Sequence, residues 1–210
     1  MPSPFEPNPA PDLLAAGTSL DELSEVAEGC TACELHREAT QVVFGAGPSS
    51  APMMLVGEQP GNEEDLQGEP FVGPAGAVLD DALAEAGIPA TDVYLTNVVK
   101  HFRWKPKGKR RLHQTPATRH VRACLPWLEA ELALVQPNVI VCLGAVAAQA
   151  LLGRSFRVTK DHGKTMEWAG YKVVATIHPS AALRAAEPED RERLRRTLVQ
   201  DLGNAHRLIG

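Results

Sequence analysis

Four short, mainly apolar runs punctuate the chain, at 53–57, 93–99, 139–143 and 173–177. Each has the length of a buried strand and too few polar positions to face water on one side. Between them lie stretches with apolar residues at helical spacing, at 75–86, 118–135 and 145–152, and a last one at 191–208 closes the chain. Continuous apolar strands alternating with amphipathic helices predict a parallel sheet covered on both faces. The expected architecture is α/β, a three-layer α/β/α sandwich around a central four-stranded parallel sheet. Ahead of the first strand, Leu20, Leu23 and Val26-Ala27 predict a helix over 20–30, with Thr18 or Ser19 as its cap. Residues 157–171 are too polar for a packed helix and read as a small hairpin. Residues 1–17, with five prolines by Pro11, read as a disordered tail, leaving 18–210 as a single domain.

A chain of 210 residues suits one domain with a sizeable core. It holds no apolar run near the roughly 18–20 residues of a membrane span. The N-terminus lacks the basic flank and compact apolar block of a secretory signal. The expected location is the cytoplasm, or the nucleoid of a bacterium. In a reducing compartment, the four cysteines favour metal binding or burial over disulfides.

Charge changes the picture more. The formal net charge is −5, yet residues 93–128 contain no Asp or Glu and nine Lys or Arg. Positive charge this segregated points to a polyanion. Within it, Lys109-Arg110-Arg111-Leu112-His113 places a histidine at the end of the basic run. The run reads either as a solvated phosphate-holding loop or as part of a reactive site.

The polar motifs follow the strands. Gly57-Glu58-Gln59-Pro60-Gly61 follows the first, Asn97 ends the second, Leu143-Gly144 the third, and His178-Pro179-Ser180 the fourth. In open parallel sheets, ligands bind beyond the carboxyl ends of the strands, where these motifs converge. The 57–61 turn is neither a P-loop nor a dinucleotide fingerprint. It is an ordinary turn, or one whose backbone amides face an anion or base edge. Phe71, between Pro70 and Pro74, either stacks on an unpaired base or anchors its loop. Asn97 either reads a base edge or caps the strand. Cys30-Thr31-Ala32-Cys33 has metal half-site spacing and is also compatible with a redox pair or zinc, with His101 and Cys124 available to complete a set of four. Cys142 lies inside an apolar strand and reads as core.

Taken together, these motifs resemble the uracil-DNA glycosylase superfamily, in the order of its iron–sulfur family 4 branch. They are Gly57-Glu58-Gln59-Pro60-Gly61, Pro70-Phe71-Val72-Gly73, Thr96-Asn97-Val98-Val99-Lys100, His178-Pro179-Ser180 and Cys30-x-x-Cys33. Two features depart toward the UdgX-type enzymes: Gln59 where family 4 usually has Gly or Ala, and the 109–113 run, which resembles their K-R-R-I-H signature with Leu112 for Ile.

The resemblance implies a uracil-DNA glycosylase-like fold, uracil-containing DNA as substrate, and no obligate protein partner. It implies a [4Fe–4S] cluster on Cys30, Cys33, Cys124 and, where family 4 has a cysteine, His101; zinc is the alternative. Phe71 is expected to stack on the flipped uracil, Asn97 to pair with its N3–H and O4, and Glu58 to exclude the thymine methyl. His178 and amides of the turn beginning at Gly57 are expected to stabilise the leaving uracil anion. Lys109, Arg110 and Arg111 are expected to hold phosphates and the abasic sugar, with Ser180 also at the substrate. His113, oriented by Glu58 or Gln59, is expected to add to the sugar C1′ and stay attached. Two other outcomes remain, a conventional turning-over glycosylase and a module that binds uracil or abasic DNA without chemistry.

Overall fold

The computed structural model describes residues 19–209, so the tail expected at 1–17 lies outside the described residues. The first helix, α1 (Leu20–Ala27), starts where Ser19 accepts a hydrogen bond from the Glu22 amide while the Glu22 carboxylate accepts one from the Ser19 amide. This reciprocal cap fixes the helix start to one residue.

The main sheet has five strands in the order β2-β1-β5-β7-β6. Strands β1 (Met53–Gly57), β2 (Val93–Asn97), β5 (Val139–Leu143) and β7 (Tyr171–Thr176) run parallel, and β6 (Thr165–Trp168) is antiparallel at one edge. The expected four parallel strands are present, and the fifth is the difference. Residues of β6 alternate between exposed and half-buried, so no apolar run marks the strand. An antiparallel edge needs only one covered face. The hairpin expected over 157–171 instead joins β6 to β7, after a short helix α6 (Val158–Asp161).

Successive strand residues point to opposite faces, and the core divides accordingly. Met54, Val56, Ile140 and Cys142 pack with Leu128 and Leu132 of α4 (Thr118–Val135) and Ala147 and Leu151 of α5 (Ala145–Leu152). Met53, Leu55, Val139 and Val141 pack with Leu79 and Leu83 of α3 (Pro74–Glu85) and Leu198 and Leu202 of α8 (Pro188–His206). These are the three layers. A smaller cluster sets Leu23 and Ala27 of α1 against Phe44 and Trp127. No helix among the described residues is long and apolar enough to cross a membrane.

The basic segment is not a loop. β3 (Trp104–Lys107) and β4 (Arg110–His113) form a separate antiparallel hairpin turning at Gly108, with Trp104 opposite His113. The strand order reverses at β1, which has β2 on one side and β5 on the other. That switch point opens a crevice beyond the strand ends, and two short helices, α2 (Asn62–Gln67) and α7 (Ser180–Arg184), border it.

Candidate active site

Gly57 and Asn97 are register partners at the ends of β1 and β2. A Cβ at Gly57 would lie 2.3 Å from Asn97 Oδ1 and 2.7 Å from Phe71 Cζ. Only glycine lets the carboxamide and the ring converge on that backbone. Asn97 is buried, and the chain continues tightly beyond it, with Val98 N donating to Gly57 O and Val99 N to Glu58 O. Phe71 has φ +58, unusual for a residue with a side chain. The conformation is held from outside: Glu64 of α2, nearly buried, accepts from the amides of Gly61 (2.9 Å) and Gly73 (2.8 Å). One carboxylate thus ties the 57–61 turn to the Phe71 loop. Across the crevice the His178 ring faces Phe71, with centroids 6.5 Å apart and planes 26° from parallel.

Glu58 Oε1 is buried, has no hydrogen-bond partner, and stands 3.7 Å from His113 Nε2. Burial pushes the Glu58 carboxyl up to about 7 against a pull down from Arg184. Burial, followed by the Arg184 charge, lowers His113 below the usual imidazole range. The two groups therefore face each other with His113 neutral at pH 7. Gln59 has a different role from the one expected. Its Nε2 donates to Arg103 O (3.1 Å) and Gln114 O (3.3 Å), and its Oε1 accepts from Arg103 N. It stitches the turn to the base of the hairpin, so any effect on His113 passes through the backbone.

Arg111 differs most from expectation. Its guanidinium donates to Asn62 Oδ1 (2.8 Å), to the buried Asp65 carboxylate (2.5 Å) and to Thr40 Oγ1 (3.2 Å). It also lies 5.5 Å from the ring centres of Phe102 and Trp104. A guanidinium so enclosed latches β4 to α2 and is not free to hold an abasic sugar. Lys109 and Arg110 are exposed at the hairpin tip and remain open to phosphate.

At the end of β7, His178 Nδ1 accepts from Ser180 N (3.2 Å) and lies 2.8 Å from Ser180 Oγ, which accepts from Arg184 Nη1 (2.7 Å). Burial, then the Arg184 and His113 charges, push His178 down to about 4. Ser180 therefore reaches the site through the imidazole.

Cys30, Cys33, Cys124 and His101 are all buried; the first two lie in the turn after α1, His101 in the segment after β2 and Cys124 on helix α4. Cys33 hydrogen-bonds to Cys124, which draws its thiol down to about 7. Trp127 Nε1 donates to Cys30 Sγ at 3.3 Å. His101 Nδ1 is a buried nitrogen with no partner, which costs free energy unless something coordinates it. Among the described residues, no three acidic, His or Cys side chains gather round one point as a single ion requires. An iron–sulfur cluster takes its ligands at separate corners, and three thiols with an unpartnered imidazole are a fitting donor set. Cys142 is buried within β5, and burial alone pushes its thiol up to about 12, as suits a core residue.

Three groups near the site escaped the sequence reading: Glu64, Asp65 and Arg184. Glu64 had a findable signal, since it lies three residues after Gly61 at capping-box spacing. Arg184 lies one helical turn beyond Ser180, a weaker clue. Asp65 had none, because its partner Arg111 is 46 residues away.

The sequence profile of the uracil DNA glycosylase superfamily matches residues 44–203. A type-4 uracil-DNA glycosylase of Thermotoga maritima is 40% identical over 192 residues, covering 90% of this chain and 94% of that protein. One from Archaeoglobus fulgidus is 39% identical over 173 residues, covering 79% and 83%. A type-5 uracil-DNA glycosylase of Thermus thermophilus is 33% identical over 185 residues, covering 80% of each.

Proposed function

The chain belongs to the uracil-DNA glycosylase superfamily, and we propose that it excises uracil from DNA as its type-4 relatives are named for doing. One observation carries the reading: Asn97, Phe71, Glu58 and His178 converge on a single crevice at the strand ends, around a glycine that leaves room for a flat base.

A base in a DNA strand must leave the stack to reach such a crevice. Phe71 offers its ring face and Asn97 a donor and an acceptor to N3–H and O4. Cytosine presents the opposite pattern at those atoms and would leave buried polar groups unpaired, at about 1–3 kcal/mol each. Heterolysis of the C1′–N1 bond leaves the electron pair on uracil and an oxocarbenium-like sugar. His178, neutral at pH 7, donates a hydrogen bond to the anion. Water then bonds to C1′ and passes its proton to the Glu58 carboxylate, whose elevated pKa makes it a competent base near neutrality. Exposed Lys109 and Arg110 meet the flanking phosphates.

Covalent capture by His113, expected from the likeness of the 109–113 run to UdgX-type enzymes, is the second reading, because the relatives carry the type-4 and type-5 names. The geometry that favours it is the His113 imidazole on β4, its Nε2 facing Glu58 at 3.7 Å. In that reading Nε2 bonds to C1′ in place of water, and the ring proton on Nδ1 is lost afterwards. A DNA band shifted on a denaturing gel, resistant to SDS and heat and absent in His113→Ala, selects it. Multiple turnovers with no such band select water.

Cys30, Cys33, Cys124 and His101 would hold a [4Fe–4S] cluster. When bound, it cross-links the segment after α1 to α4 and to the chain entering the basic hairpin. Purified protein is expected to be brown and to contain iron, with zinc below stoichiometric. Colourless protein with one zinc per chain would overturn the assignment.

Glu58 also predicts pH dependence. Its folded pKa of about 7 stands above the usual 4.5, so the folded state binds this proton more tightly than the unfolded state. The stability it contributes is full below about pH 4.5 and is lost as pH rises through about 7. Glu58→Gln is therefore expected to raise Tm at pH 8 and leave it nearly unchanged at pH 4.5, while abolishing the rise in kcat through pH 7. Thermal melts at the two pH values check this; an equal Tm change at both would contradict it.

A further inference from the structure

We infer that Arg184 is a positioning residue that fixes His178 as a hydrogen-bond donor toward the leaving base, acting through Ser180. The inference rests on the uracil-excision reading and assigns a role to a residue outside the motifs that carry it.

A backbone amide can only donate, so Ser180 N at 3.2 Å gives His178 Nδ1 one donor and biases it toward accepting. The Ser180 hydroxyl lies 2.8 Å from the same nitrogen. Left alone, that hydroxyl could donate to Nδ1 or accept from a protonated one. Arg184 Nη1, at 2.7 Å, donates to Ser180 Oγ, and a guanidinium cannot accept. The hydroxyl is thereby biased to turn its own proton toward Nδ1. Two donors now point at one ring nitrogen, so the single ring proton resides on Nε2. Which nitrogen of a histidine carries the proton is set by what the other one bonds.

The ring's position is fixed as well. Gly144 leaves so little room that a Cβ there would sit 2.9 Å from His178 Cβ. With the ring packed on the end of β5 and Nδ1 turned to α7, Nε2–H is left for the crevice and the uracil oxygen where charge develops. Arg184 also adds a positive charge that disfavours the imidazolium, as does His113 of β4 when charged; Glu58, after β1, faces His113 rather than His178.

The test uses full-length protein and the variants Arg184→Ala, Ser180→Ala, their double, and Arg184→Lys. The histidine 15N spectrum reads the His178 tautomer without any activity. Wild type is expected to show Nε2–H alone, and Arg184→Ala to show signal from Nδ1–H or from the imidazolium near pH 6. A missing donor costs about 10²–10³ in rate, so loosening one should cost about tenfold in kcat with KM little changed. Ser180→Ala should do the same, the double variant should be no worse than either single one, and Arg184→Lys should restore most of the rate.

If Arg184 serves only as a phosphate contact, its loss will raise KM and flatten the salt dependence by about 0.7 per contact, with the 15N spectrum unchanged. That result overturns the inference. An unchanged spectrum with unchanged kinetics overturns it equally. If wild type releases no uracil at all, the function reading fails instead, and the tautomer assignment is still decided by the spectrum.

Discussion

Glu131→Ala is expected to cost the protein about 3–5 kcal/mol of stability, the range for breaking one side of a buried ion pair. For a domain of this size that lowers Tm by about 6–20 °C. Glu131 is fully buried on α4 and accepts from Lys100 Nζ (2.6 Å), Thr96 Oγ1 (2.8 Å), the Gly45 amide (3.0 Å) and the Tyr94 hydroxyl (3.2 Å). Lys100 is 1% exposed and donates also to Thr96 Oγ1 and Asn97 O. Removing the carboxylate leaves an ammonium buried without its counter-charge, together with three donors that lose their acceptor. Replacing both partners, as in Lys100→Met with Glu131→Leu, should recover part of the loss, because no charge is then stranded. Thermal unfolding of the single and double variants checks this, and a Tm within 1 °C of wild type for Glu131→Ala would contradict it. The network matters for function because it grips the backbone of Asn97 from behind the crevice.

The second large effect is chemical. His178→Ala is expected to lower kcat for uracil release by about 10²–10³, the usual cost of one preorganised donor to a developing anion. KM should change little, because the hydrogen bond strengthens only as the C1′–N1 bond breaks. Folding should be nearly unaffected, since the ring is half-buried at the crevice wall and not in the core. Single-turnover assays with a uracil-containing oligonucleotide separate the two constants. A variant with wild-type kcat would remove His178 from the chemistry.

Sequence patterning reveals buried structure and misses what pairs at long range. Strands β1 and β5 were legible to the residue because all five positions of each are buried, so hydrophobicity alone marks their ends. Helix α4 was equally clear, its apolar positions facing the sheet over 18 residues. Strands β3, β4 and β6 were not, because each is short and exposes polar side chains. The β3–β4 hairpin looked like a basic loop, where it is a ribbon turning at Gly108.

The same limit shaped the site. Residues at strand ends could be placed in one crevice because the parallel topology dictates it. Arg111 could not be placed, since charge segregated along the sequence is not segregated in space. Helix α2 brings Asp65 and Asn62 to it from outside the acid-free stretch. What looked like part of a phosphate clamp is, for that residue, the bolt that holds His113 opposite Glu58.

The most direct test takes a single-stranded oligonucleotide with one uracil and measures free uracil together with alkali-induced strand cleavage, using the thymine- and cytosine-containing versions as controls. Uracil release and cleavage are expected at that position alone, and both are lost when Asn97 and His178 are replaced by alanine in protein that remains folded. Intact uracil-containing DNA after incubation with folded wild-type protein of full iron content would contradict it.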